Sequence, residues 1–180
     1  AANYARHSNI PYLGLCLGMQ IMVVEYARNE LGITDATSLE IDPDAANPVI
    51  AFMEGQEELH STGGTMRLGV YPCLLKEGTK VREAYDQETV DERHRHRYEF
   101  NNEYRVQLEE AGLIASGTSP DGSLVEVTEV YGHPFMVGSQ FHPEFGSRPE
   151  RPHPLFREFI RMARFTLREG GQHDLFEEEE

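Results

Sequence analysis

The chain has 180 residues, of which 31 are acidic and 16 basic, giving a formal net charge of −15 at neutral pH. This balance excludes a nucleic-acid-binding protein that relies on overall positive charge, because phosphates would be repelled. Two cysteines exclude a disulfide-rich scaffold, and no apolar run approaches the roughly 20 residues that span a bilayer. The length fits one globular domain.

Arginine accounts for 14 of the 16 basic residues, and the two lysines are Lys76 and Lys80. An acidic surface poor in lysine fits either a salt-adapted cytoplasm or an ordinary acidic bacterial or archaeal protein. The two cysteines, Cys16 and Cys73, lie far apart in the sequence. We expect them to be free thiols in a reducing, cytoplasmic compartment.

The first third of the chain predicts a helix end, a strand and a second helix. Residues 1–9 read as the end of a helix, residues 10–15 as a buried strand and residues 21–29 as a mostly apolar helix. Residues 32–48 are polar and rich in turn formers, and residues 49–53 form a short apolar strand. A chain that opens inside a helix is expected to be a piece of a longer protein.

The middle of the chain is dominated by strand patterns. We predict a loop over residues 54–65, strands over residues 65–71 and 92–100, and a helix over residues 103–111. Residues 81–85 fit a strand or a helix equally well.

The last third predicts three strands and a long helix. The strands cover residues 113–116, 125–131 and 135–141, separated by turns that contain glycine and proline. The final helix opens at Pro154, since proline is favoured in the first turn of a helix.

This order of strands and helices predicts one α/β domain over residues 1–170, built as a sandwich around a central sheet. Residues 171–180 form an acidic tail that we predict to be disordered.

The candidate nucleophile is Cys16, at the junction of the first predicted strand and the helix after it. The run GLCLG at residues 14–18 has the pattern of a nucleophile elbow, in which small residues flank a sharp turn. Free N–H groups and the helix dipole are expected to stabilise a thiolate there. A lone cysteine is more often buried and inert, but the flanking glycines favour a nucleophile.

A cysteine nucleophile needs a base, and the run FHPEF at residues 141–145 offers one at a strand end. Residues two apart in an extended chain point the same way, so Glu144 can fix the tautomer of His142 and turn its other ring nitrogen towards Cys16. His94 and His96 alternate with arginines, which favours one face of a strand over a metal site. We therefore expect no metal ligands.

Together these motifs resemble the class I, or triad, glutamine amidotransferases. GLCLGMQ at residues 14–20 and HPE at residues 142–144 carry the resemblance. Further runs are similar, more narrowly, to the C-terminal amidotransferase domains of CTP synthases. These runs are PYLG at 11–14, GGTMRLG at 63–69, ERHRHRYE at 92–99 and PHPLF at 152–156.

The resemblance implies a three-layer α/β sandwich with a central, mostly parallel sheet, whose N-terminal strands this chain lacks. It implies that Cys16 attacks the side-chain amide of glutamine, forming a thioester and releasing ammonia. His142 would move the proton, and Glu144 would orient His142. The glutamine pocket would be formed by six residues, namely Leu17, Gly18, Met19, Gln20, Glu40 and Arg97.

Within that pocket, the resemblance implies that Glu40 binds the α-ammonium group of the substrate and that Arg97 contacts the substrate. Residues 37–40 read TSLE where the family usually has NSTE. The simpler alternatives are a surface carboxylate for Glu40 and, for Arg93 and Arg95, one charged face of a strand.

The resemblance also implies parts outside this chain. A Gly-rich loop upstream of residue 10 would complete the oxyanion hole. An N-terminal synthase domain would use ATP and Mg²⁺ to convert UTP to CTP. We expect no cofactor in the amidotransferase domain, GTP as an allosteric activator and a homotetramer. The expected partners are L-glutamine and the synthase domain, with neither nucleic acid nor membrane among them.

Two other interpretations stay open. The chain could belong to another triad amidotransferase, such as the one that feeds GMP synthase, or to a γ-glutamyl hydrolase. It could also be a non-catalytic regulatory or assembly domain. The intact set of Cys16, His142 and Glu144 argues against the latter, because a decayed site usually loses one of its residues.

Overall fold

The fold is seen in a computed structural model that describes residues 1–52 and 66–169, with side chains up to Thr166. The predicted loop over residues 54–65 and the acidic tail over residues 171–180 lie outside the described residues.

The described residues contain five α-helices and nine strands. The helices are α1 (Ala2–His7), α2 (Leu17–Glu30), α3 (Lys80–Tyr85), α4 (Arg105–Glu110) and α5 (Pro154–Glu169). The strands are β1 (Tyr12–Leu15), β2 (Thr37–Ser38), β3 (Pro48–Phe52), β4 (Arg67–Leu75), β5 (Thr89–His96), β6 (Tyr98–Phe100), β7 (Leu113–Thr118), β8 (Val125–Val130) and β9 (Met136–Ser139). None of these helices is long and apolar enough to cross a bilayer.

Most predicted elements are confirmed in type, with three informative differences. The undecided residues 81–85 belong to helix α3, whose N-cap is Thr79, because its hydroxyl accepts a hydrogen bond from the N–H of Arg82 at 3.2 Å. The predicted strand over residues 92–100 is interrupted at Arg97, and its two halves lie in different sheets. Strand β2 lies in a segment predicted to be a polar loop, since two residues are too few to show a periodicity.

Over the described residues, the strands form a six-stranded sheet in the order β1-β9-β8-β7-β4-β5 and a three-stranded sheet in the order β2-β3-β6. In the larger sheet β1 pairs with β9 in parallel, and the other neighbours are antiparallel. The expectation of a mostly parallel sheet does not hold for these strands. Residues 119–124 and 131–135 are the only links between β7, β8 and β9, and such short connections permit hairpins but no parallel crossover.

Helices cover both faces of the larger sheet, as the alternation along β9 shows. Met136 packs in a buried cluster with α2 side chains such as Met22, whereas the next residue, Val137, packs in a second cluster with Leu155 of α5. Neighbouring strand residues point to opposite faces. The predicted three-layer α/β sandwich is therefore confirmed.

Helix α2 lies unusually close to the strands beneath its first turn. A Cβ atom added to Gly14 would lie 2.5 Å from the backbone carbon and oxygen of Gly18. A Cβ atom added to Gly138 on β9 would lie 2.9 Å from the Cβ of Met19 and 3.0 Å from its Cα. These glycines allow the helix to begin directly above the ends of β1 and β9.

We expect Gly138→Ala to destabilise the protein by about 1–3 kcal/mol, because the added methyl group has no space against the backbone of α2. The matched control is Gly146→Ala, since a Cβ atom there would meet its nearest neighbours at 3.6 and 3.7 Å, which is ordinary contact. Chemical unfolding of both variants measures the difference. Equal stability of the two variants would contradict the tight packing described for Gly138.

Candidate active site

Cys16 occupies the sharp turn between β1 and α2 that the sequence predicts. Its φ of 49° and ψ of −104° are unfavourable for a residue with a side chain. Hydrogen bonds hold the turn in place: the Cys16 N–H donates to the carbonyl of Ser139 at 2.7 Å, and the Cys16 carbonyl accepts from Met19 and Gln20 at 3.1 and 3.2 Å. The thiol is thus presented at the N-terminus of α2.

The parallel pairing of β1 and β9 places the candidate base at the same edge of the sheet. Leu15 lies opposite Ser139, so Cys16 and His142 both follow the carboxyl ends of adjacent strands. The larger sheet is curled, so β5, the edge strand opposite β1, also contacts Cys16 and His142. The N–H of His142 donates to the carbonyl of Arg93 at 2.8 Å, and Cys16 Sγ lies 4.0 Å from the carbonyl of Arg95.

The electrostatics of Cys16 differ from the sequence prediction of a stabilised thiolate. Burial raises the pKa of the Cys16 thiol, and the negative charges of Glu40 and Glu144 raise it further. The backbone N–H of Leu17 and the side-chain amide of Gln140 act in the opposite direction but do not outweigh burial. In the resting protein Cys16 is therefore a neutral thiol that needs a base. Burial raises the pKa of Cys73 as well, and its side chain is 0% exposed.

His142 and Glu144 form the predicted pair. His142 Nδ1 lies 2.6 Å from Glu144 Oε1, and His142 is the residue just before the single turn Pro143–Phe145. A carboxylate accepts, so Nδ1 carries a proton, and in the neutral tautomer this selects, Nε2 holds the lone pair. Nε2 is buried and has no hydrogen-bond partner among the described residues. It is thus an unused base.

Within the described residues, no hydrogen bond joins Cys16 Sγ to His142. The sulfur instead has its contacts with Arg95 and with Gln140, whose Nε2 lies 3.7 Å away. Nucleophile–base contacts are often loose without substrate and shorten on binding.

The six residues predicted to line a pocket separate into two groups. Leu17 is 54% exposed beside the thiol, and Glu40 and Arg97 are exposed as well, with Glu40 close enough to act on the Cys16 pKa. Gly18 lies in the first turn of α2. In contrast, the side chains of Met19 and Gln20 are buried beneath that turn. They support the elbow from below rather than facing the open side.

Sequence reasoning missed Gln140, which is 0% exposed and contacts the thiol. The signal available was a single amide in the mostly apolar run over residues 135–141. Sequence reasoning also gave no role to Glu126 or Glu99, because buried carboxylates have no periodicity of their own.

Comparisons with known proteins identify the family of this chain. The family model described as glutamine amidotransferase class-I matches residues 1–162. The chain belongs to the class I glutamine amidotransferase family. A CTP synthase from Dehalococcoides mccartyi is 59% identical over 175 residues, which cover 97% of this chain and 32% of that protein. A CTP synthase from Bacillus subtilis is 60% identical over 160 residues, covering 89% and 30%.

Solved structures extend the agreement to three dimensions. The glutaminase domain of Trypanosoma brucei CTPS with bound acivicin superposes with a TM-score of 0.86 at 36% identity, covering 91% of this chain and 64% of that one. A putative GMP synthase component from Thermoplasma acidophilum, 16% identical with a TM-score of 0.60, covers 95% and 66% and shares the fold alone. This amidotransferase chain spans about a third of the length of the curated relatives.

Behind the candidate active site, the curled sheet encloses a cluster of buried charged and polar side chains. Arg67 Nη1 lies 2.6 Å from Glu126 Oε1 and 3.8 Å from Glu99 Oε1. His94 Nδ1 lies 2.9 Å from His96 Nε2 and 3.5 Å from Glu126 Oε2. The prediction that these histidines share one strand face is confirmed by the alternating burial of β5. In the described part of the chain, no group of three or more His, Cys, Asp or Glu residues could hold a metal ion.

The cluster contains two carboxyl groups and one permanent cation. Burial raises the pKa of Glu99 to about 8 and that of Glu126 to about 7, because Arg67 cannot compensate for both desolvated charges. Burial lowers the pKa of His94 to about 3 and that of His96 to about 4. At neutral pH the histidines are uncharged, and the carboxyl pair retains protons.

These shifts predict how stability depends on pH. Above pH 4.5 the folded state keeps protons on Glu99 and Glu126 that the unfolded state loses. The free energy of unfolding therefore falls as the pH rises through about 7 and 8. The histidines act in the opposite sense and reduce stability as the pH falls below 6.5. Above about pH 6.5 the effect of the histidines ends, and the effect of the carboxyl groups remains.

We therefore expect the melting temperature to fall between about pH 6.5 and 8.5, and Glu126→Gln to flatten the fall, because an amide has no proton to lose there. Each kcal/mol corresponds to about 2–4 °C for a chain of this length. Glu110→Gln, at an exposed position, is the control and should keep the slope. If Glu126→Gln and Glu99→Gln both retained the wild-type slope, the cluster would not hold these protons.

Proposed function

We propose that this chain is the glutaminase domain of a CTP synthase, hydrolysing L-glutamine through Cys16, His142 and Glu144 to supply ammonia. The observation that carries the proposal is the placement of a strained cysteine elbow and a His–Glu pair at one edge of the sheet, both contacting β5. Relatives named CTP synthase, about 60% identical over most of this chain, support the choice within the family.

In the proposed mechanism, the raised pKa of the thiol means that its proton leaves as the sulfur attacks. Nε2 of His142 accepts that proton while Sγ bonds to the side-chain carbonyl carbon of glutamine. The Leu17 N–H, beside the sulfur at the helix N-terminus, is placed to stabilise the oxyanion. His142 then returns the proton to the leaving amine, giving ammonia and a thioester.

Water completes the cycle. His142 takes one proton from the water as its oxygen attacks the thioester carbonyl, the carbon–sulfur bond breaks, and glutamate leaves with the thiol restored. Glu144 keeps Nδ1 of His142 protonated throughout and stabilises the imidazolium that forms twice.

Two exposed charges, Glu40, which acts on the pKa of Cys16, and Arg97, suit the two ends of an amino acid. We propose that Glu40 binds the α-ammonium group and that Arg97 binds the α-carboxylate, since a guanidinium fork matches a carboxylate. Leu17 and Gly18 would line the pocket, and Met19 and Gln20 would hold it from beneath.

The whole enzyme needs more than this chain. We propose that the remaining length of the relatives corresponds to a synthase domain that uses ATP and Mg²⁺ to aminate UTP with the released ammonia. We further propose GTP activation and a tetramer, as the family resemblance implies, in the cytoplasm. None of the residues described here is assigned to a nucleotide or a metal.

The alternatives differ in measurable ways. Another triad amidotransferase or a γ-glutamyl hydrolase would release ammonia without stimulation by UTP. A non-catalytic domain would not be labelled by a glutamine analogue. The intact geometry of Cys16, His142 and Glu144 favours catalysis over this last alternative.

A diazo-ketone analogue of glutamine should label Cys16 and leave Cys73 unmodified, because Cys16 is partly exposed at the same sheet edge as His142 and Cys73 is fully buried. Mass spectrometry of the digested protein identifies the modified peptide. In the full-length polypeptide, Cys16→Ala should abolish glutamine-dependent CTP formation and spare the ammonia-dependent reaction. Preferential labelling of Cys73 would remove Cys16 from the mechanism.

Arg97→Ala should raise the KM for glutamine and lower kcat/KM. The loss of transition-state stabilisation should be about 2–4 kcal/mol if the carboxylate contact is desolvated. Arg93→Ala, an exposed arginine on the adjoining strand, is the matched control and should behave like wild type. Steady-state ammonia release measures both variants. An unchanged kcat/KM in Arg97→Ala would show that Arg97 does not bind the substrate.

A further inference from the structure

Two buried glutamines connect the second sheet to the candidate nucleophile. Gln20 of α2 is 3% exposed and Gln140, just beyond β9, is 0% exposed. Gln20 Nε2 lies 3.2 Å from the carbonyl oxygen of Tyr98 and 3.4 Å from Gln140 Oε1, and Gln140 Nε2 lies 3.7 Å from Cys16 Sγ. The amides form a continuous chain from strand β6 to the sulfur.

The direction of this chain is fixed by its first member. The Tyr98 carbonyl can only accept, so the amide nitrogen of Gln20 must face it. The second hydrogen of that nitrogen points to Gln140, which therefore presents its oxygen to Gln20. The nitrogen of Gln140 is then left facing Cys16. A flipped Gln140 would place two N–H donors against each other at Gln20 and an oxygen against the sulfur.

Burial makes this contact more important than it would be in water. The Cys16 environment disfavours a negative sulfur, since desolvation and two nearby carboxylates oppose it. Gln140 offers an uncharged donor from the side of the sheet, distinct from the Leu17 N–H at the helix N-terminus. An N–H donor beside sulfur stabilises the thiolate form relative to the thiol.

We propose that Gln140 is a catalytic residue that donates an N–H hydrogen bond to the Cys16 thiolate, and that Gln20 is the positioning residue that orients it. This proposal rests on the proposed glutaminase function. During attack, the Cys16 proton moves to His142 and Gln140 bonds the sulfur as it becomes negative. When the thioester breaks, the carbon–sulfur bond electrons return to sulfur, and Gln140 stabilises that leaving thiolate until His142 returns the proton.

The test uses the full-length polypeptide and measures the pH dependence of Cys16 alkylation by iodoacetamide, followed by mass spectrometry, beside steady-state ammonia release from glutamine. The variants are Gln140→Met, which removes the donor, Gln140→Asn, whose amide is too short to reach the sulfur, and Gln20→Met, which removes the orienting amide. Gln107→Met, at an exposed position on α4, is the control.

Gln140→Met and Gln140→Asn should raise the midpoint of alkylation by about one pH unit and lower kcat about tenfold, since a hydrogen bond to a charged group is lost. KM should change little, because Gln140 is buried behind the sulfur. Gln20→Met should shift the midpoint in the same direction by a smaller amount. Wild-type midpoints in the Gln140 variants would overturn the proposal.

Two internal readouts keep the outcomes distinct. Cys73 is fully buried, so its alkylation reports a variant that has failed to fold. The variants that do fold then decide whether Gln140 acts on Cys16. If wild type released no ammonia while the Cys16 midpoint still moved in the Gln140 variants, the glutaminase function would fail and the role of Gln140 at the thiolate would stand.

Discussion

The parallel pairing of β1 with β9 is the constraint on which the site depends. Its register sets Leu15 opposite Ser139, and this places Cys16 one residue and His142 three residues past the paired ends. A shift of one residue would turn every side chain of a strand to the opposite face. Gly14 and Gly138 secure the register indirectly, because only glycine lets α2 lie this close to both strands. Backbone packing thus sets the position of the nucleophile. Its chemistry depends on side chains further along the sequence, such as His142 and Glu144.

Strand β5 performs two tasks because its faces differ. Its even-numbered residues are buried, and two of them, His94 and His96, belong to the charged cluster, whereas Arg93 and Arg95 point outwards. The backbone carbonyls of those same arginines contact His142 and Cys16. As an edge strand, β5 pairs only with β4 among the described strands. The buried cluster therefore helps to fix a strand that contacts both members of the candidate nucleophile–base pair.

The sequence was informative wherever a chemical requirement demanded specific neighbours in the chain. The elbow needs small residues at positions 14 and 18, and the base needs a carboxylate two residues away, so Cys16, His142 and Glu144 could be singled out. The short connections among β7, β8 and β9 were equally visible, yet the family resemblance suggested a mostly parallel sheet. Gln140 and the carboxylates of the cluster depend on contacts between distant segments, and a single sequence carries no signal for such contacts.

The raised pKa of Cys16 has a consequence for how such a site can operate. A preformed thiolate would be reactive towards any electrophile or oxidant that reached the cleft. Here burial and the charges of Glu40 and Glu144 keep the sulfur protonated in the resting state. If Glu40 binds the ammonium group of glutamine, the substrate itself cancels one of the charges that oppose the thiolate. Substrate binding would then lower the cost of ionising Cys16 at the moment when His142 is needed, and nucleophile activation would be coupled to occupancy of the pocket.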